Sequence, residues 1–110
     1  MANDFKRKLS RSVGTSLTAV GSYTVGASTQ TTVIGLTVAN TTAAQVLVDA
    51  TVNDGSNDTY IVKSAPVPAG GSLVIIGGDQ KVVLETNDSI KVKSDTASSV
   101  DAVMSILEIT

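Results

Sequence analysis

The side chains that could do chemistry in this sequence are carboxylates, hydroxyls and amines. It holds 10 acidic and 8 basic residues, with no histidine and no cysteine. Without histidine there is no Ser-His-Asp relay. Without cysteine there is no Cys-His pair, no thiolate metal site and no disulfide. A Ser-Lys dyad would be the remaining way to activate a hydroxyl, but no Ser-x-x-Lys occurs. Acid–base work by two carboxylates needs a pair held in a cleft. Asp54, Asp58, Asp79, Asp88 and Asp95 instead fall in turn stretches rich in Gly, Asn, Ser and Thr, where a carboxylate ordinarily bonds the backbone of its own turn. The stretch Asn53–Asp58 is rich in oxygen but lacks the spaced acids and the closing glutamate of a calcium loop. No Gly-x-x-x-x-Gly-Lys-Ser/Thr is present to cradle a phosphate. The sequence therefore predicts a protein that is not an enzyme and uses no metal or cofactor.

Charge supplies the other chemical feature. Lys6, Arg7, Lys8 and Arg11 against Asp4 give residues 1–12 a charge of 4 − 1 = +3, whereas residues 13–110 carry 4 − 9 = −5. A basic segment ahead of an acidic body is suited to contact with an acidic neighbour. Phe5 and Leu9 lie among the cations and could anchor the segment in an apolar groove. Nucleic acid is not an expected partner, because a single-strand site wants cations interleaved with stacking aromatics. The chain has only 2 tyrosines, 1 phenylalanine and no tryptophan. No apolar run approaches the roughly 18 residues of a membrane span, and no apolar stretch follows the basic N-terminus as a secretory signal requires. No membrane association is expected.

The elements that must position these groups read as strands. With 3% aromatic and 42% apolar residues, the core must be built from Val, Ile, Leu and Ala. β-Branched side chains are stiff at χ1 and favour pleated sheet. Residues 1–13 show little periodicity and are expected as an extended basic arm ahead of a single domain over residues 14–110. Eight strands follow, separated by Gly, Asn, Asp and Pro: Ser16–Val25, bent at Gly21; Thr31–Ala39; Gln45–Asn53; Thr59–Ala65; Ser72–Ile76; Lys81–Glu85; Ser89–Lys93; and Val100–Ile109. In Thr31–Ala39, the residues Thr32, Ile34, Leu36 and Val38 are expected to share the buried face. In Gln45–Asn53, Val46, Val48, Ala50 and Val52 alternate with Gln45, Asp49 and Thr51, the pattern of a strand with one buried and one wet face. Pro66 and Pro68 cannot donate to a ladder, so the fourth strand belongs at an edge or crossover. The expected core also holds Leu73, Ile75, Val82, Leu84, Ile90 and Met104. The last strand is apolar on both faces. Val103, Leu107 and Ile109 oppose its buried side, so it is either central or pressed against a second chain. Turn signals at this spacing predict an all-β, two-sheet antiparallel sandwich.

Three stretches taken together resemble the small all-β virion proteins of tailed bacteriophages. They are Val33-Ile34-Gly35-Leu36-Thr37-Val38-Ala39-Asn40-Thr41-Thr42, Ala65-Pro66-Val67-Pro68-Ala69-Gly70-Gly71-Ser72-Leu73, and the hairpin from Lys81 to Val92. The hairpin carries Asn87 where jelly-roll-like domains usually have glycine; asparagine also tolerates left-handed dihedrals. The resemblance implies a jelly-roll-like fold and a non-enzymatic part of the particle. That part is a capsid decoration or cement protein, or a neck, tail or fibre-base accessory, made in the host bacterial cytoplasm and resident in the virion. It carries no active-site residues. A receptor- or glycan-binding module is the alternative, although sugar sites usually use aromatic platforms. The expected partners are other virion proteins (major capsid, neck or tail subunits) and further copies of the chain. The expected contact residues are Phe5, Lys6, Arg7, Lys8, Leu9, Arg11, Val103, Leu107 and Ile109.

Overall fold

A computed structural model describes residues 2–110, so Met1 of the expected arm lies outside the described residues. The chain forms nine strands: β1 (Asn3–Val13), β2 (Thr18–Ala19), β3 (Gln30–Asn40), β4 (Val46–Asn53), β5 (Asp58–Val67), β6 (Ser72–Ile76), β7 (Val82–Leu84), β8 (Ser89–Ser94) and β9 (Val100–Ile109). The first sheet runs β1-β9-β3-β6, with β7 pairing β3 beside β6. The second runs β2-β8-β4-β5, and every strand pair is antiparallel.

The pairing order explains the architecture. β4 pairs with β5, β3 with β6, β2 with β8 and β1 with β9. The chain is thus one long hairpin ribbon, with its tip at the turn between β4 and β5. It is rolled so that successive rungs fall alternately into the two sheets, which is the jelly roll expected from the sequence. The interior between the sheets is aliphatic: Val33, Leu36, Val38, Met104 and Ile106 from the first sheet meet Val46, Val48, Ala50, Ile90 and Val92 from the second. Asn40 fixes the crossover between the sheets. Its side-chain amide donates to the carbonyls of Ala44 (2.8 Å), Val67 (3.0 Å) and Pro68 (3.2 Å), and its oxygen accepts the Thr42 N–H (2.9 Å).

Most strands lie where alternation put them, and β5 is an edge strand, which accommodates Pro66 opposite Leu47. Three differences have physical causes. Residues 3–13 are extended, but they do not stand off as an arm before residue 14. They form β1, paired along β9 from Asn3↔Ile109 to Val13↔Val100. The first strand expected, Ser16–Val25, shrinks to Thr18–Ala19, because the chain enters a 3-10 turn at Val20–Ser22 in which Gly21 takes φ +62°. A side chain at that position would place its Cβ 2.8 Å from the Cβ of Lys8. In β3 the register against β9 shifts between Val33 and Gly35, so Val33 is buried and Ile34 only half-buried, the reverse of the expected face. Leu73, Ile75 and Val82 of the expected core are partly buried against it.

Candidate functional site

Four of the five turn acids are taken up by hydrogen bonds within the domain. Asp54 Oδ1 accepts the N–H groups of Ser56 (3.0 Å) and Asn57 (2.8 Å), and these bonds hold its carboxyl below its ordinary pKa. Asp58 Oδ1 accepts the side chains of Thr51 (3.0 Å) and Asn53 (2.9 Å), Asp88 accepts the Glu85 N–H (2.9 Å) and Asp95 the Leu47 N–H (3.1 Å). Among the described residues no group of three or more acids is gathered as a metal cluster would need. No helix among them is long and apolar enough to cross a membrane.

The feature that stands out is the outer face of the first sheet. Cross-strand register places residues in rows. One row runs Phe5 (β1), Leu107 (β9), Thr32 (β3), Val83 (β7). Another runs Leu9 (β1), Val103 (β9), Thr37 (β3), Val74 (β6). Between them lies Arg7, Ser105, Gly35, a row whose centre has almost no side chain. The result is two apolar ridges flanking a shallow trough across the strands. The ridges are about 14 Å apart, four strand residues at about 3.4 Å each. These ridges are open: Phe5 is 76% exposed, Val83 65%, Val74 64%, Val103 50% and Leu9 43%. They are five of the seven exposed large apolar residues, the other two being Leu47 and Tyr60. Both of those belong to the second sheet, whose other outward positions are mainly polar, although Asp49 and Thr51, expected on a wet face, are buried there. There the Lys93 Nζ is 3.6 Å from Asp49, and the Lys63 Nζ lies 4.5 Å from the centre of the Tyr60 ring. The sandwich therefore has one wet outer face and one apolar outer face.

β1 shows the same inversion in miniature. Phe5 and Leu9 point out, whereas Lys6, Lys8 and Ser10 point in under the 3-10 turn. The Lys6 Nζ pairs with Glu108 Oε1 at 2.8 Å, and Glu108 Oε2 accepts the Tyr23 hydroxyl at 2.6 Å. That hydroxyl also bonds the buried Thr31 Oγ1 at 2.7 Å. The Lys8 Nζ sits 4.8 Å from the centre of the Tyr23 ring, and the Ser10 Oγ accepts the Gly21 N–H at 2.8 Å. The Asp101 carboxylate accepts the Ser12 N–H at 2.9 Å where β1 bends out of register. Burial, and then the hydrogen bond to Glu108, pushes the Tyr23 phenol up to about 12. The Lys6 ammonium, followed by the Tyr23 hydroxyl, holds Glu108 below the ordinary carboxylate range, and Lys6 is raised in return.

Of the residues expected to contact partners, Phe5, Arg7, Leu9, Val103, Leu107 and Ile109 are brought onto this one face. Lys6 and Lys8 are not, because they turn inward to Glu108 and Tyr23. Arg11 is exposed beside the β1 bulge, on the outward side by alternation. Sequence reasoning missed Val74 and Val83. The signal was present, since each sits between residues assigned inward: Leu73 and Ile75, and Val82 and Leu84.

No protein-family model matches the sequence, and no curated protein matches it. Solved structures do match the fold. A chain of a Bacillus endospore appendage, one of a family of disulfide-linked pili, superposes with a TM-score of 0.58 at 14% identity, over 99% of this chain and 87% of that one. A chain of the capsid of Helicobacter pylori bacteriophage KHP30 superposes with a TM-score of 0.58 at 7% identity, over 100% of this chain and 89% of that one. At such identities the likeness is one of fold.

Proposed function

We propose that this chain is a non-enzymatic structural component of a tailed-phage virion, of the capsid decoration type. It assembles with its neighbours in the particle through the outer face of the first sheet. The observation that carries this reading is the uncovered apolar face, with ridges led by Phe5 and Val103, on a domain in which Asp54, Asp58, Asp88 and Asp95 are taken up by hydrogen bonds within the fold. Large contiguous apolar surface on a soluble-type domain marks an interaction site. The likeness in fold to a phage capsid chain and to a pilus subunit, each a part of a repeating assembly, supports the same reading. Arg7, between the ridges, and Arg11, beyond the Leu9 ridge, lie on β1 and suit an acidic surface beside the apolar contact.

Electron cryo-microscopy of particles assembled with and without this chain tests it. Density for the jelly roll at repeated positions on the shell, with the first sheet buried, is the expected result. Density confined to a fibre tip, or particles that never take up the chain, would reject it.

A further inference from the structure

The proposed function leaves open which neighbour covers the apolar face. Resting on that reading, we infer that the occupant is a second copy of this chain, packed sheet on sheet across a two-fold axis. Three observations favour a copy over an unrelated protein. The first is shape. The trough of Arg7, Ser105 and Gly35 lies one row from the ridge of Leu9, Val103, Thr37 and Val74. A second copy turned about an axis across the strands, midway between these two rows, sets each ridge into the other's trough. A self-complementary patch of this kind is what a two-fold interface requires.

The second is chemistry at the margin. The same rotation brings residue i of β1 opposite residue 16 − i of the second copy, on the register of Arg7 and Leu9 about the axis. Phe5 then faces Arg11 of the second copy, and the reciprocal contact forms by symmetry. The otherwise odd pairing of an exposed phenylalanine and an arginine on one edge strand becomes two cation–π contacts. Ser105 faces Val103 of the second copy at the centre, while Asp101, whose carboxylate already accepts the Ser12 N–H, faces Leu107 toward the ends, so charge stays away from the centre of β9. Arg7 lies on the edge strand, from which a long side chain can carry its charge to water.

The third is area. Four strands about 4.8 Å apart, over about eight residues of length, give a face of roughly 500 Å², and a pair would bury roughly 1,000 Å². That is the lower limit for a specific interface, enough for a reversible pair and too little for an obligate dimer. The pair is expected to have a dissociation constant above about 1 µM, so that it comes apart on dilution, and to persist where the particle holds many copies close together.

The experiment is sedimentation velocity on the intact chain across a concentration series, with Val103→Glu compared at each point. Val103 is half exposed, so the variant should keep the fold, and its circular dichroism serves as the control. The expected result is a concentration-dependent monomer–dimer equilibrium that Val103→Glu shifts to monomer by at least tenfold. The chain has no cysteine, so the double variant Val103→Cys, Ser105→Cys adds an independent readout. A bismaleimide of about 10 Å reach, suited to the spacing of stacked sheets, should link position 103 of one chain to 105 of the other, identified by peptide mapping. A wild-type chain that stays monomeric at about 0.5 mM, or a dimer indifferent to Val103→Glu, would overturn the pairing. Its failure is separable from failure of the proposed function. Single copies at repeated shell positions, each with its first sheet against a different protein, would end the self-pairing and leave the virion role. Pairs in solution that never enter the shell would support the self-pairing and end the virion role.

Discussion

Replacing Tyr23 with phenylalanine isolates the network that fastens β1 to the body. The ring stays, so its packing and the contact with Lys8 stay. What is lost is a hydroxyl that bonds Glu108 at 2.6 Å and Thr31 at 2.7 Å. Thr31 is buried, and its hydroxyl loses that partner. A net hydrogen bond to a charged acceptor is worth about 1.5–3 kcal/mol, and an unsatisfied buried hydroxyl costs about 1–3 kcal/mol. Glu108 keeps Lys6 and sits near solvent, so the lower parts of these ranges apply and the sum is about 2–3 kcal/mol. For a domain near 100 residues, each kcal/mol moves the midpoint by about 4 °C at the least, so a drop of roughly 8–12 °C is expected in thermal unfolding followed by circular dichroism. The alkaline limb gives a second, independent reading. Because the Tyr23 pKa in the folded chain is raised to about 12 from the ordinary 10.0, its contribution is complete below about pH 10 and is lost as pH climbs toward 12. The wild type should lose midpoint over that window more steeply than Tyr23→Phe. A variant melting within 2 °C of wild type, with the same alkaline slope, would refute the account of how β1 is held.

Other outcomes follow from the same structure. Leu36→Ala, which opens a cavity between Met104 and Ile76, should cost about 2–5 kcal/mol, whereas Val74→Ala on the open ridge should change chemical-denaturation stability by less than about 0.5 kcal/mol. Gly21→Ala should destabilise by more than about 1 kcal/mol, since φ is +62° and the new Cβ would meet Lys8. Amide exchange should quicken first in β1. Glu108 is held below its ordinary value in the folded chain, so its contribution is present above about pH 4.5 and fades as pH falls through its lowered pKa. An acid titration of Glu108→Gln should be flatter there than that of wild type. Deleting residues 2–12 strips β9 of one of its two partner strands, and the truncated chain should melt lower and associate through the bared edge, as light scattering would report.

How much of this was legible follows from how each strand meets the core. β9 and β6 were read to the residue, and β4 to within one, because turn residues bound all three and β4 alternates cleanly. The edge position of β5 was written in Pro66. β1 was hidden because its inward positions are Lys6, Lys8 and Ser10, polar groups served by Glu108, Tyr23 and the Gly21 N–H. Period-two reasoning looks for apolar residues facing in, and here they face out. The same inversion explains the site. Phe5, Leu9, Val103 and Leu107 could be named as contact candidates from their chemistry, but their assembly into rows depends on β1 pairing with β9, a contact between opposite ends of the chain. The exchange of Val33 for Ile34 in the core comes from a one-residue shift against β9, which local sequence does not encode.

The closing of the roll by β1 on β9 also sets a clock. At roughly 5–20 residues per second, β1 emerges on a growing chain some 5–20 s before Val100–Ile109 has been made. Through that interval Phe5 and Leu9 have no ridge to join, because Leu107 and Val103, their neighbours in each row, do not yet exist. Long-range pairings of this kind are also slow to form once available. The adhesive surface is therefore the last part of the molecule to come into being. A nascent chain cannot present it, and only copies that have finished rolling are competent to join an assembly.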